Sequence, residues 1–173
     1  MAESTSSTDR LQPALLDRLT DDHPEQKLEP REQRSLSKAR LRQAVLRDLA
    51  WLFNSTRMES GSSLALVPYV RCSVVNYGLP ALSGRPSASM DIAELERSIR
   101  QAILDYEPRI LPATLEVRAV KHANPHEQHN VVGVQIHGQL WAQPVPIEML
   151  VRTEIDLETG KVEIADLLRS RAV

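Results

Sequence analysis

The chain is poor in cysteine, in aromatic residues and in long apolar runs, and it carries almost no excess charge. One cysteine, Cys72, among 173 residues excludes an intramolecular disulfide framework and leaves a zinc-finger site without its thiolates. Two tryptophans, three tyrosines and one phenylalanine are too few to build stacking platforms for single-stranded nucleic acid. No apolar run approaches the roughly 20 residues that a membrane helix needs. No apolar h-region follows the polar N-terminus MAESTSSTDR, so a secretory signal is not expected. With 21 basic and 23 acidic residues the net charge is −2, which argues against a general nucleic-acid or membrane-surface binder. The expectation is a cytoplasmic protein of one ordinary-sized domain, with no cofactor.

What the chain does have is a change of period. Residues 1–36 are dominated by Ser, Thr, charges and Pro13, Pro24 and Pro30. One cluster, Leu11, Leu15, Leu16 and Leu19, has the spacing of two amphipathic helical turns. So short a helix is marginal in water. It needs a surface to dock on, in its own domain or in a partner. The reading is an extended N-terminal arm over 1–36 with a short amphipathic helix, followed by a single α+β domain over 37–173.

Ser37 is placed to cap a helix over 38–54. Its apolar stripe is Leu41, Val45, Leu49, Leu52 and Phe53, widened by Leu46 and Trp51. The opposite face carries Lys38, Arg40, Arg42, Arg47 and Asp48. Pro68 starts a short helix reaching Val74 or Tyr77, and Gly78 supplies a left-handed terminus. The best-defined helix begins at Asp91 with Glu94 completing a capping box. Ile92, Leu95, Ile99, Ala102, Ile103 and Tyr106 recur along it at helical spacing. Glu96 and Arg100 form an i,i+4 pair on its exposed side.

After this helix the apolar residues alternate. Leu115, Val117 and Ala119 form one set, Val132 to Leu140 a second, and Ile147 to Ile155 a third. A turn at Gly160 leads to a fourth strand over Lys161–Ile164. Helices first and strands later give an α+β class, with N-terminal helices packed on one face of a C-terminal antiparallel β-meander.

The two regimes meet at Leu104-Asp105-Tyr106-Glu107-Pro108-Arg109-Ile110. A helix seldom continues past the residue before proline, so Pro108 places Glu107 at a helix C-terminus. The dipole there is negative, which suits Arg109 and not Glu107. A charged pair held rigidly at this junction is either a contact point or a staple between helix and sheet.

The other chemical signals are weak. His122, His126 and His129 share one segment, but the metalloprotease pattern HExxH needs a helix and this segment is a proline-containing hairpin loop. A solvated loop is the reading. Cys72 lies in an apolar stretch and reads as a buried small hydrophobe. Arg31, Arg34, Lys38, Arg40, Arg42 and Arg47 read as a solvated face, with docking to an acidic protein surface as the alternative. Glycoside hydrolysis needs two carboxyls about 5–9.5 Å apart. Asp105, two residues before Glu107 on a helix, points away from it, and Asp91 and Glu94 are caps.

Five stretches carry a resemblance. SVVNYGLPALSG (73–84) and AILDYEPRI (102–110) resemble signature segments of the TssE family, the baseplate wedge proteins of type VI secretion systems. That family groups with phage-tail wedge proteins once labelled lysozyme-like. LLDRLTDD (15–22), RLRQAVLRDLAWLFNSTR (40–57) and LETGKV (157–162) resemble further family segments in the same order. Ala81 departs from the family, which commonly has an acid there. The resemblance implies an α+β fold related to the end domain of sheath subunits, and a structural role without catalysis. It implies assembly with the wedge proteins TssF and TssG and with TssK. It also implies contact with the sheath proteins TssB and TssC and with the VgrG hub, in a cytoplasmic baseplate docked at an inner-membrane complex. Glu107, Pro108 and Arg109 match the family's Glu-Pro-Arg signature and are implied partner contacts, alongside Leu15, Leu16 and Leu19. The alternative raised by the family label is a peptidoglycan-cleaving hydrolase centred on Glu107. A further rival is a stand-alone binding domain.

Overall fold

The computed structural model describes residues 13–20, 24–25, 37–58, 64, 67–82, 91–120 and 131–168. The histidine loop and most of the 1–36 arm, with Arg31 and Arg34, lie outside them.

The helices form where caps and apolar spacing agree. Helix α1 is Leu15–Leu19 and α2 is Lys38–Phe53. The Ser37 hydroxyl accepts the Arg40 N–H at 3.2 Å and opens α2, whose Leu41, Ala44, Val45, Leu49, Leu52 and Phe53 are buried. Helix α3 is only Pro68–Arg71. A separate 3₁₀ turn follows at Val74–Asn76, so the expected continuous helix is broken. The break sits at Ser73, whose backbone is extended and whose hydroxyl donates to the Val70 carbonyl. Helix α4 is Ile92–Tyr106. The Asp91 carboxylate accepts from the Ala93 and Glu94 amides, and Leu95, Ile99, Ala102 and Ile103 form the buried stripe.

Four antiparallel strands follow, in the order β1 (Glu116–Val120), β2 (Val131–Leu140), β3 (Ile147–Asp156) and β4 (Val162–Asp166). The fourth strand starts one residue later and runs two further than the alternation suggested. Val134 pairs with Thr153, Ile136 with Val151 and Gly138 with Met149, so one face of the central hairpin is buried throughout. Thr153 is accommodated there because its hydroxyl donates to the Val134 carbonyl at 3.1 Å. Helices α2 and α4 pack with this face in one core. The class is α+β, with helices and a meander.

The helices also engage each of the sheet's two edges at one residue. Asn54, at the end of α2, donates to the Val162 carbonyl and accepts the Val162 N–H, at 2.9 and 3.0 Å. Glu96 on α4 accepts the Ala119 N–H of β1 at 2.6 Å. Unpaired edge groups are where foreign strands add, and both edges here have a main-chain group taken by a side chain. This corrects the reading of Glu96 as half of a surface pair with Arg100.

Gly78 is required by its neighbours. Its φ is +119°, and a Cβ there would lie 2.2 Å from the Ser55 carbonyl oxygen. The close approach lets Leu79 bond Ser55 and Arg57 bond Leu79 through the main chain.

Candidate partner-binding site

Helix α4 ends as the sequence requires. The Glu107 amide closes the last turn on the Ile103 carbonyl, and Pro108 turns the chain. Beyond it Ile110 bridges Leu140, joining the corner to β2. That register sets Arg109 opposite Trp141, whose N–H donates to the Arg109 carbonyl at 2.7 Å. Ile110 and Leu140 are buried, so Arg109 and Trp141 share the outward side; Trp141 is half exposed.

The corner's charges face each other. Arg109 Nε donates to Glu107 Oε1 at 2.6 Å, and the Arg109 amide donates to the same oxygen at 3.2 Å. Arg109 Nη2 donates both to Glu107 Oε2 and to Asp48 Oδ2 on α2. Glu107 is buried, with 3% of its side chain accessible, whereas Pro108 is exposed. Burial acts most strongly on Arg109 and would lower its pKa. The Glu107 and Asp48 carboxylates outweigh that, so the guanidinium sits above its ordinary value.

Asp48 extends the pair into a chain. It also accepts from Arg47 Nε at 2.9 Å, and Arg47 in turn pairs with Asp17 on α1. The hydrogen bond from Arg47 to Asp17 is the largest effect on Arg47 and raises its pKa; burial opposes it, and Asp48 adds to it. Asp17, Arg47, Asp48, Arg109 and Glu107 thus alternate in sign from α1 through α2 to the corner. The Tyr77 hydroxyl donates to the Asp48 carbonyl, and burial raises its pKa.

This network brings the two groups of sequence-nominated contacts onto one framework. Helix α1 buries no residue; Leu15 and Leu19 are more than 70% exposed and Leu16 is exposed too. The short helix is held by an ion pair and its leucines face solvent. Sequence reasoning missed Asp48 as the hub. Its signal was that it is the one acid on an otherwise basic face of α2.

Three expectations about side chains are corrected. Arg42 and Arg47 are not simply solvated: Arg42 pairs with Asp166 at 2.7 Å, and Arg47 pairs with Asp17 and Asp48. Trp51 does not widen the core stripe but is half exposed, with the Arg47 guanidinium 5.0 Å over its ring. Cys72 is exposed along with Val74 and Val75, whereas Asn76 is buried.

Residues 39–145 match the family model of the baseplate wedge protein gp25. The chain belongs to this family. The matched span runs from the start of α2 through the corner to the β2–β3 connection, so it includes Asp48, Glu107, Pro108 and Arg109. No curated protein and no solved structure matches the chain. Membership gives a structural role in a phage-type baseplate. Among the described residues no helix is long and apolar enough to cross a membrane.

Proposed function

We propose that this protein is the TssE-type wedge subunit of a type VI secretion baseplate, joining the wedge complex to the contractile sheath and helping to start sheath assembly. Its work is assembly and not catalysis. The observation that carries this is the pairing of family membership with an α1 helix whose leucines are unburied yet held in place by the Asp17–Arg47 pair. An apolar face presented in this way is suited to a protein partner. Leu15, Leu16 and Leu19 would dock on TssF and TssG, with Pro108 and the outward side of Arg109 as a second contact. Glu107 would act from behind, fixing Arg109. TssK, TssB, TssC and VgrG complete the expected neighbourhood, in a cytoplasmic baseplate docked at the inner-membrane complex.

The hydrolase alternative has less support. A glycosidase needs one carboxyl to donate a proton and a second to assist across the bond. Both Glu107 oxygens are engaged by Arg109. Purified protein is expected to release no product from peptidoglycan. Turnover abolished by Glu107→Gln would overturn the assembly reading.

Co-expression with TssF and TssG tests the reading directly. The full chain is expected to co-purify with both, and removal of residues 1–36 to weaken that binding while the domain stays folded. Normal co-purification of the truncated chain would refute the role given to the arm.

A further inference from the structure

A second surface lies apart from α1 and the Glu107–Arg109 corner, on the stretch from α3 to the 3₁₀ turn. Tyr69 is 92% exposed and Val74 is 83% exposed, and Val67 and Val75 are open as well. Such side chains on a loose loop would mean little. This stretch is anchored at several points. The Tyr106 hydroxyl donates to the Ser73 carbonyl at 2.9 Å, and the Tyr77 ring packs edge-on against Tyr106. Buried Asn76 donates to the Arg71 carbonyl, and Gly78 is pressed against Ser55. The fold holds this backbone while turning its apolar side chains outward. A rigid apolar surface loses little entropy on binding, which is the property of a preorganised contact.

The charges beside it state what kind of partner fits. A cleft of about 120 Å³ is lined by Arg57, Arg71, Asn76, Gln101, Asp105 and Tyr106. Among the described residues Arg57 Nε is buried without a hydrogen-bond partner, and neither Arg57 nor Arg71 makes an ion pair. Arg42, Arg47 and Arg109 are all paired. The cleft's one carboxylate, Asp105, is exposed and accepts from Gln101. Two guanidiniums therefore stand beside an apolar surface with one partly occupied acid between them.

We infer that this surface receives an acidic, apolar segment of a baseplate partner, its apolar side chains on Tyr69, Val74 and Val75 and a carboxylate in the Arg57–Arg71 cleft. This rests on the baseplate reading and adds a docking site to it. A carboxylate supplied here would meet guanidinium donors in the fork geometry that suits it.

The test is photo-crosslinking in the complex of the full chain with TssF and TssG, with p-benzoylphenylalanine in place of Tyr69. Adducts are expected on a partner segment that combines Asp or Glu with apolar residues. Arg71→Glu is expected to cut their yield about tenfold, since like charges are then opposed. Val74→Ser is expected to lower the yield as well, and neither change should shift the urea midpoint, because both side chains are exposed. Adducts on a basic segment, on a second copy of this chain, or none at all in an intact complex would overturn the inference. If the unsubstituted chain does not co-purify, the baseplate reading itself fails, and this inference falls with it.

Discussion

The corner at Glu107–Arg109 and the stretch from Pro68 to Asn76 use similar materials and end in opposite states. Each places arginine near aromatic and apolar residues, and the two are linked through Tyr77, which reaches the Asp48 carbonyl and packs on Tyr106. At the corner each charge has found a partner within the chain. Arg109 holds two carboxylates, and Glu107 is buried beneath it. On the α3 side neither Arg71 nor the neighbouring Arg57 has an ion pair among the described residues, and the apolar side chains face water. A network whose charges pair within the chain specifies the fold; charges without a counter-ion among the described residues, beside exposed apolar side chains, point to a partner. Glu107, Pro108 and Arg109 belong first to the former kind.

The largest expected effect breaks the satisfied side. Arg109→Ala strands the buried Glu107 carboxylate and should cost about 3–5 kcal/mol of stability, read by urea denaturation. An assembly defect in a fully stable Arg109→Ala protein would reverse the comparison, making the corner a contact first.

Gly78→Ala comes next. A Cβ 2.2 Å from the Ser55 oxygen at positive φ forces the backbone apart, at about 2–3 kcal/mol. The same change should impair the α3 surface, since Gly78 is one of its anchors. An unchanged denaturation midpoint would show that the stretch is not held as described.

On the open side, substituting Leu15, Leu16 and Leu19 together by Ser should move stability by no more than about 0.5 kcal/mol, as exposed positions do. Co-purification with TssF and TssG should fall sharply. A large loss of stability would mean that α1 packs on its own domain.

The smallest effect concerns the β3–β4 turn. Hydrogen bonds from the Thr159 hydroxyl and from the Glu158 and Thr159 amides hold the Asp156 pKa below its ordinary value of 3.8. A depressed carboxylate stabilises fully above its unfolded pKa, and the contribution is lost as pH falls through the folded value. Asp156→Asn should therefore loosen the hairpin near neutral pH, and its stability should converge with that of the native chain once the pH falls below the lowered folded-state pKa of Asp156. A gap that persists in acid would show that the charge is not the cause.

Much of this was legible in the sequence. The alternation of Val134, Ile136 and Gly138 gave the core face of β2, and Pro108 fixed the end of α4. Leu15, Leu16 and Leu19 announced a helix needing a surface. What could not be read is pairing at long range. Nothing local in the sequence says that Arg109 reaches Asp48, 61 residues away, or that Glu96 caps the edge of β1. Cys72 was misplaced for a related reason. Apolarity marks a stretch for burial only when the fold has a surface to cover it, and here Asn76 is buried while Cys72 is exposed.

Glu107 and Arg109 bind each other before anything else. A double-mutant cycle on Glu107→Ala and Arg109→Ala, followed by urea denaturation of the isolated protein, measures it. We predict strong coupling, about 2–3 kcal/mol, with the double variant more stable than the summed single losses imply. Single losses that add to within about 0.5 kcal/mol would show that the two side chains act independently.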